Sequence, residues 1–437
     1  MHTHNTDSAG PKERPLVSVI IPTRNRAGLL QEAVASVLAQ EGAGEEFDVD
    51  LIVVDDASSD GTAEIVRGYP GIRYFRLTSS RGMSATRNVG IKASKAKYVA
   101  FLDDDDLMLA QRLKLQVSEI EAHPEVGVVY SQNIIRGKSI IKIWRDAEPA
   151  PSGDAFDKTW PDAHNAPSGD VFHRYLMQEF ISVDTPLVRR EAFEKAGYFD
   201  ESLTNMEHYD MFLRLAFHVP FLFVEGNVAI NRVNPCGAFQ TRLAGDEGYA
   251  RMLPRVIEKA LAMLPVTDYS RRLRREVHMA LVPRICCMVE RLEAIEAKRL
   301  YVRTALQSCP WILRESPARA LLVKMAYFFA AGSTLPVASV KAICREIKAA
   351  AAPSGVRERW QTRLLLADIW TEVSMRLGFG AELFPRAAGY AAARAGLYDV
   401  SRFARKEIMW LIARAVIGPR AHQIRALIKG RWIFQAD

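Results

Sequence analysis

Four consecutive aspartates, Asp103 to Asp106, follow the apolar run "YVAFL" at residues 98–102. Adjacent carboxylates repel one another and lose solvation beside a hydrophobic edge unless positive charge sits among them. Such an oxygen-rich site suits Mg2+ or Mn2+, hard divalent cations that take one or two carboxylates together with substrate phosphates. A helix N-cap before "LMLAQRL" would use one or two of the four aspartates, but not all of them. A second acidic pair, Asp55-Asp56, ends the run "LIVVDD". A carboxylate at a strand end can accept hydrogen bonds from ribose hydroxyls or a base N–H. Equally, Asp55 and Ser58 can cap the next helix while Asp60-Gly61 turns the chain.

Two more stretches carry chemistry. "SSRGMSATRNVG" supplies Arg81, Arg87 and Asn88 around a helix start, where they can contact a nucleotide or pin the aspartates. Taken singly, Arg87 also reads as a salt-bridged surface position. "NMEHYDMFLRL" groups Glu207, His208 and Asp210. Glu207 and Asp210 share a helix face, and a carboxylate or imidazole there can act as a general base. Acids at a helix N-terminus are also plain capping residues.

The elements that must position these groups follow an alternating pattern. "LVSVIIPT" (16–23), "VDLIVVDDAS" (49–58), "IRYFRLT" (72–78) and "YVAFLD" (98–103) read as strands. "AGLLQEAVASVLAQ" (27–40), "DGTAEIVRGY" (60–69) and "MSATRNVGIKAS" (83–94) read as the helices between them. Continuous apolar strands joined by helical crossovers predict an α/β domain with a parallel sheet covered on both faces. In such sheets ligands bind beyond the carboxyl ends of the strands, so "IIPT", "IVVDD" and "AFLDDDD" deliver their polar residues to one edge. Further on, "QRLKLQVSEIEAH" predicts a helix, "VGVVYSQNII" a strand, "EHYDMFLRLAFH" a helix and "PFLFVEGNVAI" a strand. Residues 145–170, rich in Pro, Gly, Asp and Ala, read as one long loop of the kind that often serves as a lid.

These motifs, in this order over residues 16–235, resemble the family-2 glycosyltransferases of the GT-A fold. The resemblance rests on "VSVIIPTRNR", "IVVDDASSDGT", "RGMSATRNVGI", "YVAFLDDDD" and "GYFDESL…EHYDMFLRL". It implies an inverting enzyme that moves a sugar from a nucleotide diphosphate sugar to a hydroxyl of a carbohydrate or lipid-linked acceptor, with a divalent cation, Mn2+ or Mg2+, as cofactor. Pro22, Thr23 and Arg24 would line the nucleoside pocket. Asp55 and Asp56 would approach the base or ribose, with Arg81 close by. Asp103 and Asp105 match the acids of a D-x-D element. Asp105 is the expected metal ligand with Asp103, Asp104 lies near the ribose or sugar, and Asp106 is left to cap the next helix. The family's Glu-Asp pair at the acceptor helix reads Glu207-His208 here, which makes His208 or Glu207 the expected base; a histidine with a reference pKa of ~6.5 suits neutral pH. After the last strand, Arg232 is kept while Asn234 stands where the family often has histidine. The alternatives are a non-catalytic nucleotide-sugar-binding or scaffold protein with a degenerate acceptor site, and a nucleotidyltransferase.

The rest of the chain has a different composition. The 437 residues carry a net charge of +7. Residues 1–250 hold 26 Lys+Arg against 36 Asp+Glu, net −10, and residues 251–437 hold 32 against 15, net +17. Beyond residue 245 the pattern is helical and arginine-rich, predicting a basic all-α domain over 246–437, with a break near Pro353 that would make two subdomains. Residues 1–14 read as a disordered leader ahead of a GT-A domain at 15–245. The basic half would dock on the acidic half or make peripheral contact with an anionic membrane, helped by Trp410, Trp432 and Phe434. No reader motif points to nucleic acid. "LLVKMAYFFAAGSTLPVASV" (321–340) is interrupted by Lys324, Gly332 and Pro336 and falls short of a spanning helix. Five cysteines without paired spacing favour a reducing compartment, hence a cytoplasmic location, and a surface-polysaccharide or glycolipid role follows from the family's usual contexts.

Overall fold

The computed structural model describes residues 14–137, 156–161, 163, 166–232 and 247–291, with 344, 345, 366 and 369. The chain divides into two compact units, one of Met1–Thr241 with Val256–Met263 and one of Arg242–Arg255 with Leu264–Asp437.

The first unit is built on one mixed sheet. Strand β1 (Leu16–Thr23), rich in β-branched residues, is buried from Val17 to Thr23 because neighbours cover both of its faces. It pairs in parallel with β2 (Asp48–Asp55) and β4 (Tyr98–Phe101), and β3 (Arg73–Arg76) extends the sheet beyond β2. The crossovers are α1 (Ala27–Leu38), α2 (Thr62–Arg67) and α3 (Met83–Ala93), as the sequence pattern requires. Thr23 pairs with Asp55 and Ile20 with Phe101, so all three strands release their polar residues at the same edge.

On the other side of β4 the sheet turns antiparallel. β8 (Leu187–Arg189) pairs antiparallel with both β4 and β6 (Val128–Gly137). β9 (Phe221–Arg232) then runs parallel to β6, and the short β5 (Leu107–Met108) closes the order against β9. Helices α4 (Arg112–Ala122), α5 (Phe172–Met177), α6 (Ala192–Ala196) and α7 (Glu207–His218) complete this half. Arg112, the first residue of α4, is fully buried and donates to the carbonyls of Phe101 and Pro186, tying the end of β4 to the segment before β8.

One expectation is corrected here. The stretch 145–170 is not all loop, because Phe156–Trp160 form strand β7 against β6, with Asn133 opposite Trp160. β6 outruns the three-residue β8 and leaves backbone groups that a further strand can satisfy. The five-residue run sits among turn formers and gives no clear strand signal. The remainder of 145–165 apart from 156–161 and 163 lies outside the described residues, as do the leader 1–13, Asn234, the break near 353 and Trp410, Trp432 and Phe434. Beyond residue 245, the described elements are the helices α8 (Glu247–Leu261) and α9 (Asp268–Arg291). Among the described residues no helix is long and apolar enough to cross a membrane.

Helix α3 lies so close to β1 that Gly90 is obligatory. A Cβ there would stand 2.4 Å from Ile20 Cγ2, inside van der Waals contact. Gly90→Ala is expected to lower stability by about 1–3 kcal/mol through overpacking, despite alanine's better helix propensity. Urea denaturation monitored by circular dichroism checks this, and an unchanged midpoint would refute the packing argument.

Candidate active site

Helix α3 starts at Met83 after Gly82, whose φ of 85° favours glycine. One turn in, Arg87 points to the end of β4 and is 1% exposed. Its Nη2 lies 2.7 Å from Asp103 Oδ1 and its Nη1 2.9 Å from Glu207 Oε1. The guanidinium also stands 5.5 Å from the Phe199 ring centroid. Burial works against its charge, but Asp103 and Glu207 outweigh that cost and hold the pKa above the usual arginine value. The surface-position reading of Arg87 is therefore wrong: a buried cation links the strand edge to the first turn of α7.

The four aspartates occupy four different environments. Asp103 is partly exposed, and its backbone N–H donates to Asp184 Oδ1 at 2.7 Å. Asp104 turns inward, where it accepts from Thr23 Oγ1 at 2.8 Å and Arg26 Nη1 at 2.7 Å. Burial pushes its carboxyl up to about 6 against the pull of Arg26 and Thr23. This corrects the expectation that Asp104 reaches a ribose or sugar, since its oxygens clamp the loop after β1. Asp105 lies 2.9 Å from Arg26 and is raised by burial and by Asp103, while its carbonyl accepts from Arg232 Nε.

Asp106 is not a helix cap. It is buried, with Oδ1 accepting from the Arg232 N–H at 2.7 Å and Oδ2 from Asn231 Nδ2, which also donates to Asp184 Oδ2 at 2.6 Å. Burial and Asp184 raise Asp106 well above the carboxylate range, and burial and Asp103 push Asp184 up to about 6. A carboxyl pair with elevated affinity for one proton results. One oxygen from each of Asp103, Asp106 and Asp184 lies within 4.8 Å of the others, a spacing able to hold an ion; Asp105 is outside that trio. Hard oxygen donors crowded in this way fit a divalent cation, whose charge would relieve their repulsion.

At the end of β1, Pro22 and Thr23 are buried and Arg24 is exposed beyond them. Asp56 accepts from Ser80 Oγ and from the backbone N–H of Arg81 and Gly82, which fixes the turn preceding α3. The Arg81 guanidinium pairs with Glu201 at 2.6 Å. Asp55 is corrected: it is 1% exposed, and its oxygens accept from the Ser58 N–H at 2.8 Å and Tyr74 Oη at 2.5 Å. The capping alternative describes it, and a donor would find no access. Arg232 binds Glu32 through Nη1, so it braces Asp105 and Asp106 from β9.

On the acceptor side, α7 begins after Met206, whose backbone is left-handed at φ 63°. His208 Nε2 lies 2.7 Å from Glu179 Oε1, and Nδ1 lies 3.8 Å from Glu207 Oε1. Burial disfavours the charged ring, yet the two glutamates push its pKa up to about 9. His208 is therefore an imidazolium at neutral pH, which corrects the expectation of a ring titrating near 6.5. Asp210 is held by Arg214 at 2.7 Å and Lys259 at 2.8 Å and faces away from base chemistry. Sequence reasoning missed Arg26, Glu179, Asp184 and Asn231, single polar residues whose partners are distant in the chain.

Residues 18–181 match the family model of glycosyl transferase family 2. The chain carries a family-2 glycosyltransferase domain. Its mixed sheet is the GT-A architecture, and the protein is a glycosyltransferase by that domain and by its relatives. An uncharacterized glycosyltransferase of Rickettsia prowazekii is 28% identical over 54% of this chain and 69% of its own length. The poly(ribitol-phosphate) beta-N-acetylglucosaminyltransferase TarP of Staphylococcus aureus is 41% identical over 22% of this chain and 31% of its length. The UDP-Glc:alpha-D-GlcNAc-diphosphoundecaprenol beta-1,3-glucosyltransferase WfgD of Escherichia coli is 33% identical over 29% and 49%.

The His208 ion pair sets a pH dependence of stability. Its folded pKa is raised, so the contribution, roughly 1–3 kcal/mol, is fully present below ~6.5 and is lost as pH rises through about 9. His208→Gln is expected to flatten the stability difference between pH 6.5 and 9.5 in urea titrations. An identical pH dependence in wild type and variant would exclude the charged-ring assignment.

Proposed function

We propose that this glycosyltransferase is a metal-dependent, inverting enzyme that moves a sugar from a nucleotide diphosphate sugar to a hydroxyl of a carbohydrate or lipid-linked acceptor. The observation that carries the reading is the single buried Arg87 joining Asp103, at the strand edge, to Glu207, on the helix where an acceptor would arrive. Pro22, Thr23 and Arg24 line the nucleoside side, and Asp56 fixes the turn that presents Arg81 to it. Asp103, which also belongs to the crowded trio with Asp106 and Asp184, would hold the cation together with Asp105, whose carboxylate pairs with Arg26 and whose backbone carbonyl accepts from Arg232. When bound, the cation would supply Lewis-acid stabilisation of the departing diphosphate. An acceptor hydroxyl at the α7 N-terminus attacks the anomeric carbon in line with the leaving group, which inverts its configuration.

The TarP and WfgD names support a polymer or lipid-linked acceptor and, for WfgD, a UDP-sugar donor. We extend the reading to a peripheral position at the cytoplasmic face of a bacterial membrane, supported by the +17 of residues 251–437.

The test is release of nucleoside diphosphate from UDP-glucose, UDP-GlcNAc and GDP-mannose with Mn2+ or EDTA. Turnover by wild type that EDTA abolishes is expected. Asp105→Asn should lower kcat by about 10²-fold or more with the unfolding midpoint unchanged. Pyrophosphate as the product would instead favour a nucleotidyltransferase. No binding or turnover of any donor would refute the reading.

A further inference from the structure

Lys259 lies on α8, in the stretch that the sequence pattern assigns to the basic helical half, yet Val256–Met263 belong to the first compact unit. Val256, Ile257, Ala260 and Leu261 are buried and anchor the segment that carries it. Lys259 Nζ lies 2.8 Å from Asp200 Oδ2 and 2.8 Å from Asp210 Oδ1. One ammonium thus joins the loop between α6 and α7 to α7 itself.

Both carboxylates are fixed by further contacts. Asp210 also accepts from Arg214 Nε at 2.9 Å and Nη2 at 2.7 Å, and Arg214 donates to the carbonyls of Ala196 and Tyr198. Asp200 Oδ1 accepts from the Ser202 N–H at 3.0 Å and the Ser202 hydroxyl at 2.6 Å. Burial disfavours the Asp200 charge, but Lys259 and Ser202 outweigh it and hold the carboxyl well below the usual carboxylate range.

Asp200 stands between the two loop residues that reach the site. On one side, the Phe199 ring centroid lies 5.5 Å from the Arg87 guanidinium. On the other, Glu201 pairs with Arg81 at 2.6 Å and accepts from Asn88 Nδ2 at 3.0 Å. Asp210 follows Glu207, the second partner of Arg87, on the same face of α7. We infer, on the glycosyl-transfer reading above, that Lys259 is a positioning residue for the reaction. By bridging Asp200 and Asp210 it fixes the loop that presents Phe199 and Glu201 against the helical turn that presents Glu207. Lys259 acts through those residues and not on donor or acceptor directly. The bonds from Asp56 to Ser80, Arg81 and Gly82 do not involve the bridge, so nucleotide binding survives its loss.

The experiment uses the full chain and follows nucleoside diphosphate release with Mn2+ from the donor that wild type turns over, well below the unfolding midpoint of each variant. Lys259→Met is expected to lower kcat by about 10- to 100-fold with UDP affinity within about threefold of wild type, and Lys259→Arg to recover most of the rate. Asp200→Asn removes the loop end of the bridge while Asp210 stays paired. It should cost as much as Lys259→Met, and the double variant should be little slower than either. Hydrogen exchange should be faster over residues 198–206 in both single variants and unchanged over β1. Near-normal kcat in Lys259→Met, UDP affinity lost in step with kcat, unchanged exchange over 198–206, or multiplying effects of the two substitutions would each overturn the inference while leaving the transferase reading intact. Wild type inert toward every donor would overturn both.

Discussion

Arg87 is the constraint on which the site depends. A guanidinium taken out of water costs several kcal/mol unless it is matched by charge and hydrogen bonds, and here the match comes from two elements more than a hundred residues apart. Asp103 belongs to the end of β4, and Glu207 to the first turn of α7. Because neither carboxylate can leave without exposing a buried charge, the end of β4 and the start of α7 are held in one geometry. The Phe199 ring beneath the guanidinium and the Asn88 amide, bonded to the Phe199 backbone, keep the approach to α7 in the same register.

The sheet explains why so much acid can gather at one edge. Parallel pairing of β1, β2 and β4 sends Thr23, Asp55 and the Asp103 segment to a common side, and each carboxylate then needs its own compensation. Asp55 holds the Ser58 N–H and the Tyr74 hydroxyl, and Asp104 holds Thr23 and Arg26 of the loop after β1. Asp106 and Asp184 share Asn231 and an elevated proton affinity. Asp103 and Asp105 remain at the surface of the site, the pair best placed to meet a ligand.

The sequence made the α/β half legible because its signals are local. Continuous apolar strands and helical spacing marked β1 to β4 and α1 to α3, and α7 follows "EHYDMFLRLAFH" from end to end. The aspartate run and the Arg-rich helix start pointed to the right edge. What remained hidden was partnership. Nothing in "LMQEFISVD" tells that Glu179 meets a histidine 29 residues later or that Asp184 caps the strand edge at Asp103. The protonation state of His208 was likewise illegible, since it depends on two glutamates brought together by folding. Asp55 was misjudged because caps and ligand-binding acids look alike at a strand end until burial separates them.

The most direct test of the coupled edge and helix is a double-mutant cycle on Asp103→Asn and Glu207→Gln, read out as the free energy of unfolding in urea. Both carboxylates act on the same buried guanidinium, so the account predicts an interaction energy of about 0.5–3 kcal/mol between the two substitutions. Additivity within about 0.3 kcal/mol would show that Arg87 does not join them, and would contradict it.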